Sequence, residues 1–367
     1  RVGILTKHEL RDVEACLLDL EKEVAAGEVV VTPQDEDCHT VIEQYLTGRL
    51  GDVGKKIHTG RSRNDQVLVA LRLFLRDHVR TCAAKTAAVA RTLCDFGERY
   101  DRLLMPGYTH LQRAMPTTAG LWAMGFAELL AGDVDTLRHA FDRVNVSPLG
   151  SAAGYGVPYL ELPRDEAAER LRFDGVQTHV TAVQLSRGKL ELNVVHALVQ
   201  VAATLNRLAS DLVLYNTAEF GFVALPAEYC TGSSIMPQKQ NPDVLELARA
   251  SYHRLTAEMQ LLLTLPANLP SGYHRDLQLT KEAAMRAALL SVDLLTAMEN
   301  VLPGLRFDEA RLKAASTPEL FATAHALDLV QQGVPFREAY RRAAAEIDDL
   351  TAPDVDAALA PYLLPGY

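Results

Sequence analysis

Apolar residues in this chain recur mostly at helical spacing, and strand-like alternation is rare. Thr6-Lys7-His8-Glu9 reads as a capping box, opening a helix that carries Val13, Cys16, Leu17 and Leu20 on one face. Glu28 to Pro33 breaks that pattern. A short helix is expected around Val41 to Leu46, ended by Gly48 and Gly51, and a turn-rich stretch then runs to Gly60. From about Asn64 to Tyr100 there is no proline and one glycine, Gly97. Val67, Leu71, Phe74 and Leu75 line one face of this segment. Ala83, Ala84, Ala87, Ala88 and Ala90 are small enough for close helix approach. Roughly 35 residues at about 1.5 Å each span about 50 Å. That is close to the full width of a compact globule of this size, so such a helix suits an elongated bundle.

Further long segments match it. Thr118 to Val144 is apolar at Leu121, Met124, Leu129 and Leu130. Thr181 to Tyr215 sets Val195, Leu198, Ala202, Leu205, Ala209 and Leu212 close to a heptad seam. Asp243 to Leu265 and Leu277 to Val301 complete the set. From Phe307 the helical patterns shorten and charge becomes denser. The expected fold class is all-α: an elongated central bundle of long helices over 58–306, with small helical domains at 1–57 and 307–367. Outer stripes on such helices need partners, which favours a homo-oligomer.

Composition narrows the function classes. The 367 residues suffice for two or three domains and a large core. Apolar residues make up 48% and aromatics only 6%, so alanine and leucine carry the interior, as in close-packed helices. A net charge of −10 argues against nucleic acid. An anionic substrate must therefore meet a local cationic pocket. The five cysteines are scattered without a C-x-x-C pair, which points to reduced thiols in a cytoplasmic protein. No apolar run reads as long enough to span a bilayer, and no membrane role is expected. Arg1-Val2-Gly3-Ile4 leads into the capped helix without a signal-peptide pattern, and further residues are expected before Arg1.

Five stretches carry candidate chemistry. Gly232-Ser233-Ser234-Ile235-Met236-Pro237-Gln238-Lys239-Gln240-Asn241-Pro242 packs two hydroxyls, a lysine and amides into one loop before an apolar helix. A mobile loop closing over an anion has a use for all of them. His58-Thr59-Gly60-Arg61-Ser62-Arg63-Asn64-Asp65-Gln66 sets arginine forks, suited to carboxylates, at a helix N-terminus. An ordinary N-cap with solvated arginines fits the same residues equally well. Gly107 to Arg113 holds His110 between Thr109 and Gln112 in an expected loop. Ser147 to Gly156 reads also as a flexible small-residue linker. In Ser271 to Glu282, Gln278 and Lys281 share one helix face, as they would on any solvated helix start. There is no G-x-S-x-G elbow, and the eleven histidines lack metal-ligand spacing.

The Ser233 stretch resembles the signature of the fumarase/aspartase superfamily, whose members eliminate fumarate from succinyl compounds. His58 to Gln66, Gly107 to Arg113 and Glu36-Asp37-Cys38-His39 resemble its argininosuccinate lyase family, in the family's order. The resemblance covers about Glu36 to Glu282 and continues more weakly to Glu338. It implies a mostly α homotetramer whose active sites draw on three chains. The implied reaction is reversible elimination of argininosuccinate to arginine and fumarate, without metal or organic cofactor. Removing a proton next to a carboxylate puts two negative charges on that carboxylate, which fixed donors must stabilise. By resemblance Ser233 is the base, with Lys239, Asn241 and the loop amides favouring its anion. His110, oriented by Glu246, serves the departing nitrogen. Thr109, Ser62, Arg63 and Asn64 hold the succinyl carboxylates, and Tyr273, Gln278 and Lys281 hold the arginine end.

The chain departs from the family's pattern at Met115, where many relatives carry glutamine, and at Arg275, where many carry lysine. Gly188-Lys189 follows Ser186-Arg187 where many carry an aspartate and an aromatic residue. The departures at Gly188, Lys189 and Arg275 touch the pocket and bear on substrate preference. Two rival readings follow: a superfamily lyase acting on another N-substituted aspartate, and a non-catalytic, crystallin-like oligomer. The joint presence of Ser233, His110, Lys239 and Glu246 argues against the second.

Overall fold

Fourteen α-helices, five short 3-10 turns and two small strand pairs lie within residues 2–360, which the computed structural model describes; Arg1 and positions 361–367 of the expected C-terminal domain lie outside the described residues. The helices are α1 (Lys7–Ala25), α2 (Cys38–Leu50), α3 (Asp52–Lys56), α4 (Arg63–Arg99), α5 (Ala119–Val144), α6 (Arg164–Arg170) and α7 (Val180–Leu185). They continue with α8 (Lys189–Tyr215), α9 (Asp243–Thr264), α10 (Thr280–Val301), α11 (Glu309–Ala315), α12 (Ala322–Gln331), α13 (Phe336–Ala345) and α14 (Val355–Leu359). Strands β1 (Leu104–Thr109) and β2 (Gln112–Thr118) form an antiparallel hairpin, and β3 (Val223–Ala224) pairs with β4 (Arg306–Phe307). The mostly helical architecture agrees with the all-α expectation, and the hairpin corrects the expected loop at Gly107 to Arg113.

Local chemistry sets the helix ends. The Glu9 amide donates to Thr6 Oγ1 at 3.2 Å and the Thr6 amide to Glu9 Oε2 at 2.7 Å, a reciprocal capping box. Helix α1 buries Val13, Cys16 and Leu20, whereas Leu17 stays 39% exposed and falls outside the stripe. Helix α2 starts earlier than its apolar pattern because Asp37 caps it, accepting the Thr40 amide at 2.9 Å. It runs through Gly48 and stops at Gly51, whose φ of 59° no longer fits a helix.

Along α4 the buried positions Leu68, Leu75, Cys82, Val89 and Phe96 fall seven apart, with Val79, Thr86 and Leu93 between them. That is a heptad stripe, and each large apolar side chain buried there contributes about 1.5–3 kcal/mol. In α8 all six expected seam residues are buried. The expected single segment from Thr181 to Tyr215 is broken, however, into α7 and α8. Gly188 sits between them with φ of +79°, and a Cβ there would lie 2.5 Å from Pro266 Cγ. In α5 the core falls on Ala119, Ala123, Ala127, Leu130 and Leu137, while Met124 and Leu129 point outward. Alanine fills much of that seam, with Leu130 and Leu137 beside it.

The chain divides into two compact units. One comprises residues up to Asp77, Phe141–Asn193 and Leu261–Ala284; the other comprises His78–Ala140, Val194–Gln260 and the chain from Met285. The second unit holds an aromatic cluster in which Trp122 meets Tyr215 and Phe307 at centroid distances of 6.2 and 6.0 Å. Trp122 Nε1 donates to Asp211 Oδ2 at 2.9 Å. All five cysteines are free thiols. Among the described helices, α8 is long and apolar enough, by length and composition, to cross a membrane, and 56% of its apolar window is buried inside the fold.

Candidate active site

In the second unit, the Ser233 loop is closed at its base. The Thr231 amide donates to Asn241 O at 3.1 Å and the Asn241 amide to Thr231 O at 2.8 Å. Asn241 Nδ2 donates to Thr231 Oγ1 at 3.4 Å, and that hydroxyl donates to Asp243 Oδ2 at the start of α9. Inside the loop, Ser233 Oγ accepts the amides of Met236 at 3.2 Å and Ile235 at 3.4 Å. Two N–H groups aimed at one oxygen favour negative charge there. Of the groups expected to hold that charge, the loop amides reach Ser233 and the Asn241 side chain is spent on Thr231. Lys239 is exposed and lines a cavity of about 400 Å³ with Asn216, Cys230 and Gln238.

His110 stands at the hairpin tip, exposed, with φ of 54°; Leu111 beside it has φ of 59°. Thr109 pairs with Gln112, so these two residues form a two-residue turn with both centres left-handed. A non-glycine residue in that region costs about 1–2 kcal/mol, a strain that recurs at functional sites. The hairpin is anchored on both sides. Tyr108 packs on Phe220 at 5.7 Å, and Arg113 Nη1 donates to Thr317 Oγ1 at 3.0 Å and Glu319 Oε1 at 3.3 Å. Met115, 41% exposed, stands opposite Gly107 in the hairpin. Glu246 is exposed on the first turn of α9, and no hydrogen bond or ion pair joins it to His110.

The first unit carries the other expected residues. Asp65, fully buried, accepts the amides of Ser62 and Ala152, each at 3.0 Å, and so ties the start of α4 to the small-residue segment. That segment is no flexible linker: Ser147 and Ser151 are fully buried. The Asn64 amide donates to Ser62 Oγ at 3.3 Å. Arg63 is paired with Glu36 and lies 3.7 Å from Asp37, so its guanidinium is already partly engaged. Gln278 Nε2 donates to the Tyr273 hydroxyl at 3.0 Å. Gln278 lies in a short 3-10 turn and Lys281 in α10, so the expected shared face is interrupted.

Charged side chains of both signs gather around His39. Burial pushes the His39 imidazole below its usual value; Asp37 opposes the shift, and the charges of Arg63, Lys281 and Arg61 reinforce it. A cavity of about 190 Å³ opens there, lined by His39, Glu43, His58, Arg61, Arg63 and Gln66.

Sequence reasoning gave no role to Asp65, Arg72 and Glu191 and named Arg187 only as the neighbour of the Gly188-Lys189 departure. The spacing Ser62-x-x-Asp65 is a capping signal, and Arg187 and Glu191 stand four apart across a helix start. Among the described residues, no group of three or more His, Cys, Asp or Glu side chains is arranged to hold a metal ion.

The profile of a family described as "Lyase" matches residues 1–255. A protein of Sorangium cellulosum named argininosuccinate lyase is 47% identical over 359 residues, covering 98% of this chain and 83% of that protein. A protein of Thermotoga neapolitana with the same name is 42% identical over 344 residues, covering 94% and 86%. Among solved structures, an EDDS lyase variant with bound fumarate matches with a TM-score of 0.84 at 26% identity, over 98% of this chain and 73% of that one. A fumarate lyase from Mesorhizobium sp. BNC1 shares the fold, with a TM-score of 0.77 at 20% identity over 100% and 83%.

Proposed function

The chain belongs to the argininosuccinate lyase family, and on that premise we propose that it splits argininosuccinate reversibly into L-arginine and fumarate. One observation carries the reading: near-full-length identity of 47% to a protein of that name. The reaction serves arginine biosynthesis in the cytoplasm and needs no cofactor.

Ser233 takes the proton next to the succinyl carboxylate. The Ile235 and Met236 amides on its Oγ support the anionic form that a base requires. Lys239 adds charge, and Asn241 keeps the loop base closed through Thr231. Ser62, Arg63, Asn64 and Thr109 hold the succinyl carboxylates, the substrate competing with Glu36 and Asp37 for Arg63. The doubly charged carboxylate formed on proton loss then meets donors already in place. Tyr273, Gln278 and Lys281 hold the arginine end, and His110 serves the departing guanidinium nitrogen.

His110 and Glu246 are unjoined within one chain, which supports a site completed by neighbouring copies in a homotetramer. We read 58–306 as the bundle that carries the site, with 1–57 and 307–367 as flanking domains. Mass photometry should give about 161 kDa, four times 40.2 kDa. A monomer with full turnover removes the composite site.

Wild-type protein and Ser233→Ala are assayed for fumarate by ultraviolet absorbance, with argininosuccinate and with N-substituted aspartates that lack a guanidinium. The reading expects turnover of argininosuccinate that Ser233→Ala lowers by about a thousandfold, within the about 10²–10⁴-fold that a general base contributes. Turnover only of the other aspartates selects the second reading, which the likeness to the EDDS lyase fold and the Gly188-Lys189 departure favour.

A further inference from the structure

The turn at Arg187, which has no part in the chemistry above, lies against two of the proposed binding segments. Arg187 is 3% exposed. Its Nη1 donates to Asn64 Oδ1 at 3.1 Å and to Gln184 Oε1 at 3.4 Å, and its guanidinium lies 5.0 Å over the Tyr273 ring. Gly188 makes the approach possible. Its left-handed backbone brings the turn against Pro266 and Thr280, in the stretch that bears Tyr273, Gln278 and Lys281. Behind Arg187, Glu191 is 4% exposed and Arg72 is 3% exposed. Arg72 donates to Val146 O at 2.6 Å and Gln177 Oε1 at 2.7 Å, and Gln177 Nε2 donates to Ser186 Oγ at 3.1 Å. The turn is therefore tied down from both sides. Two guanidinium groups and one carboxylate leave a net positive charge in this buried cluster.

We propose that Arg187 is a positioning residue that sets the donor face of Asn64 and the plane of the Tyr273 ring for the substrate's succinyl and arginine ends. The reason is its donor inventory. A guanidinium has only N–H groups to offer, so the Asn64 amide must turn its oxygen toward Arg187. Its NH2 then faces the other way, where one N–H donates to Ser62 Oγ at 3.5 Å and the second is left for a carboxylate. Without Arg187, the amide is free to flip and present an oxygen to a carboxylate, which repels it. The stacked guanidinium likewise holds the Tyr273 ring, while Gln278 engages its hydroxyl. A lysine cannot stack and donate in this planar way.

This role rests on the proposed assignment of Asn64 and Tyr273 to substrate. The test uses full-length Arg187→Met, Arg187→Lys, Asn64→Ala and the double variant Asn64→Ala/Arg187→Met. Two readouts are taken: steady-state kinetics with argininosuccinate, and calorimetric binding of succinate, which carries the two carboxylates and cannot react. Arg187→Met is expected to weaken succinate binding and raise KM by about tenfold, with kcat changed much less, since ground-state placement is lost. Arg187→Lys should fall between it and wild type, and it carries the test where Arg187→Met is insoluble. In the Asn64→Ala background, Arg187→Met should weaken succinate binding little further, because the two residues act as one unit. Succinate binding within twofold of wild type in both Arg187 variants, or losses that multiply in the double variant, overturns the proposal. Wild-type protein that binds succinate but leaves argininosuccinate intact refutes the assigned reaction instead, and the succinate data still decide the role of Arg187.

Discussion

Replacing Ser233 by cysteine makes the proposed anion cradle measurable. The Oγ accepts amides at 3.2 and 3.4 Å on a loop that is largely exposed. A hydrogen bond to a charged acceptor is worth about 1.5–3 kcal/mol, and these long, solvated bonds belong at the lower end. Two of them hold an anion by about 3 kcal/mol, or about two pKa units at about 1.36 kcal/mol each. An ordinary thiol near about 8.5 should therefore titrate near about 6.5 in Ser233→Cys. The same two units leave a serine hydroxyl well above neutral, so Lys239 and the closed, substrate-filled site must supply the rest. The assay is the pH dependence of iodoacetamide alkylation at the new thiol, resolved by peptide mass spectrometry against the five native cysteines. A midpoint at or above about 8.5 refutes the cradle.

Three further outcomes follow from packing and charge. Asp65→Ala strands two half-buried amides at the lower end of about 1–3 kcal/mol each, so denaturant unfolding should show a loss of about 2–3 kcal/mol; a loss below about 1 kcal/mol contradicts the tie. Gly188→Ala combines a left-handed alanine with a 2.5 Å approach to Pro266 Cγ. It should cost about 2–4 kcal/mol in the same assay, and wild-type stability would remove the close-approach argument. The Lys56 hydrogen bond, with the Thr6 cap, holds Glu9 down from 4.5 to about 2. Its support for α1 is thus fully present above about pH 4.5 and lost as pH falls toward about 2. The hydrogen-exchange protection factors of α1, which are corrected for the intrinsic pH dependence of exchange, should fall across that window in wild type, and Glu9→Gln should abolish the dependence.

Long helices were the most legible part of the chain, because a heptad stripe repeats its signal many times. The ends of α4 and α9, and the capping box at Thr6, fell within a residue or two of their expected places. What stayed hidden depended on neighbours distant in sequence. The turn at Gly188 is a break only because Pro266 and Thr280 press on it. The His110 hairpin lacks glycine at its centre, so its sequence carries none of the usual turn chemistry. Exposed Met124 and Leu129 were expected inside because their size outweighed the alanines that fill the α5 seam. At the site, motif residues such as Ser233 and Asn64 could be named from the chain. The groups packed around Asn64 and its helix start, Asp65 and Arg187, gain meaning only from burial and contact.

The central claim is that this chain cleaves the C–N bond of argininosuccinate by elimination. Purified protein is incubated with argininosuccinate, and fumarate absorbance is followed while arginine is quantified by mass spectrometry. Fumarate and arginine should appear in equal amounts, and argininosuccinate should re-form when both products are supplied. Folded protein that releases neither product from argininosuccinate contradicts the claim.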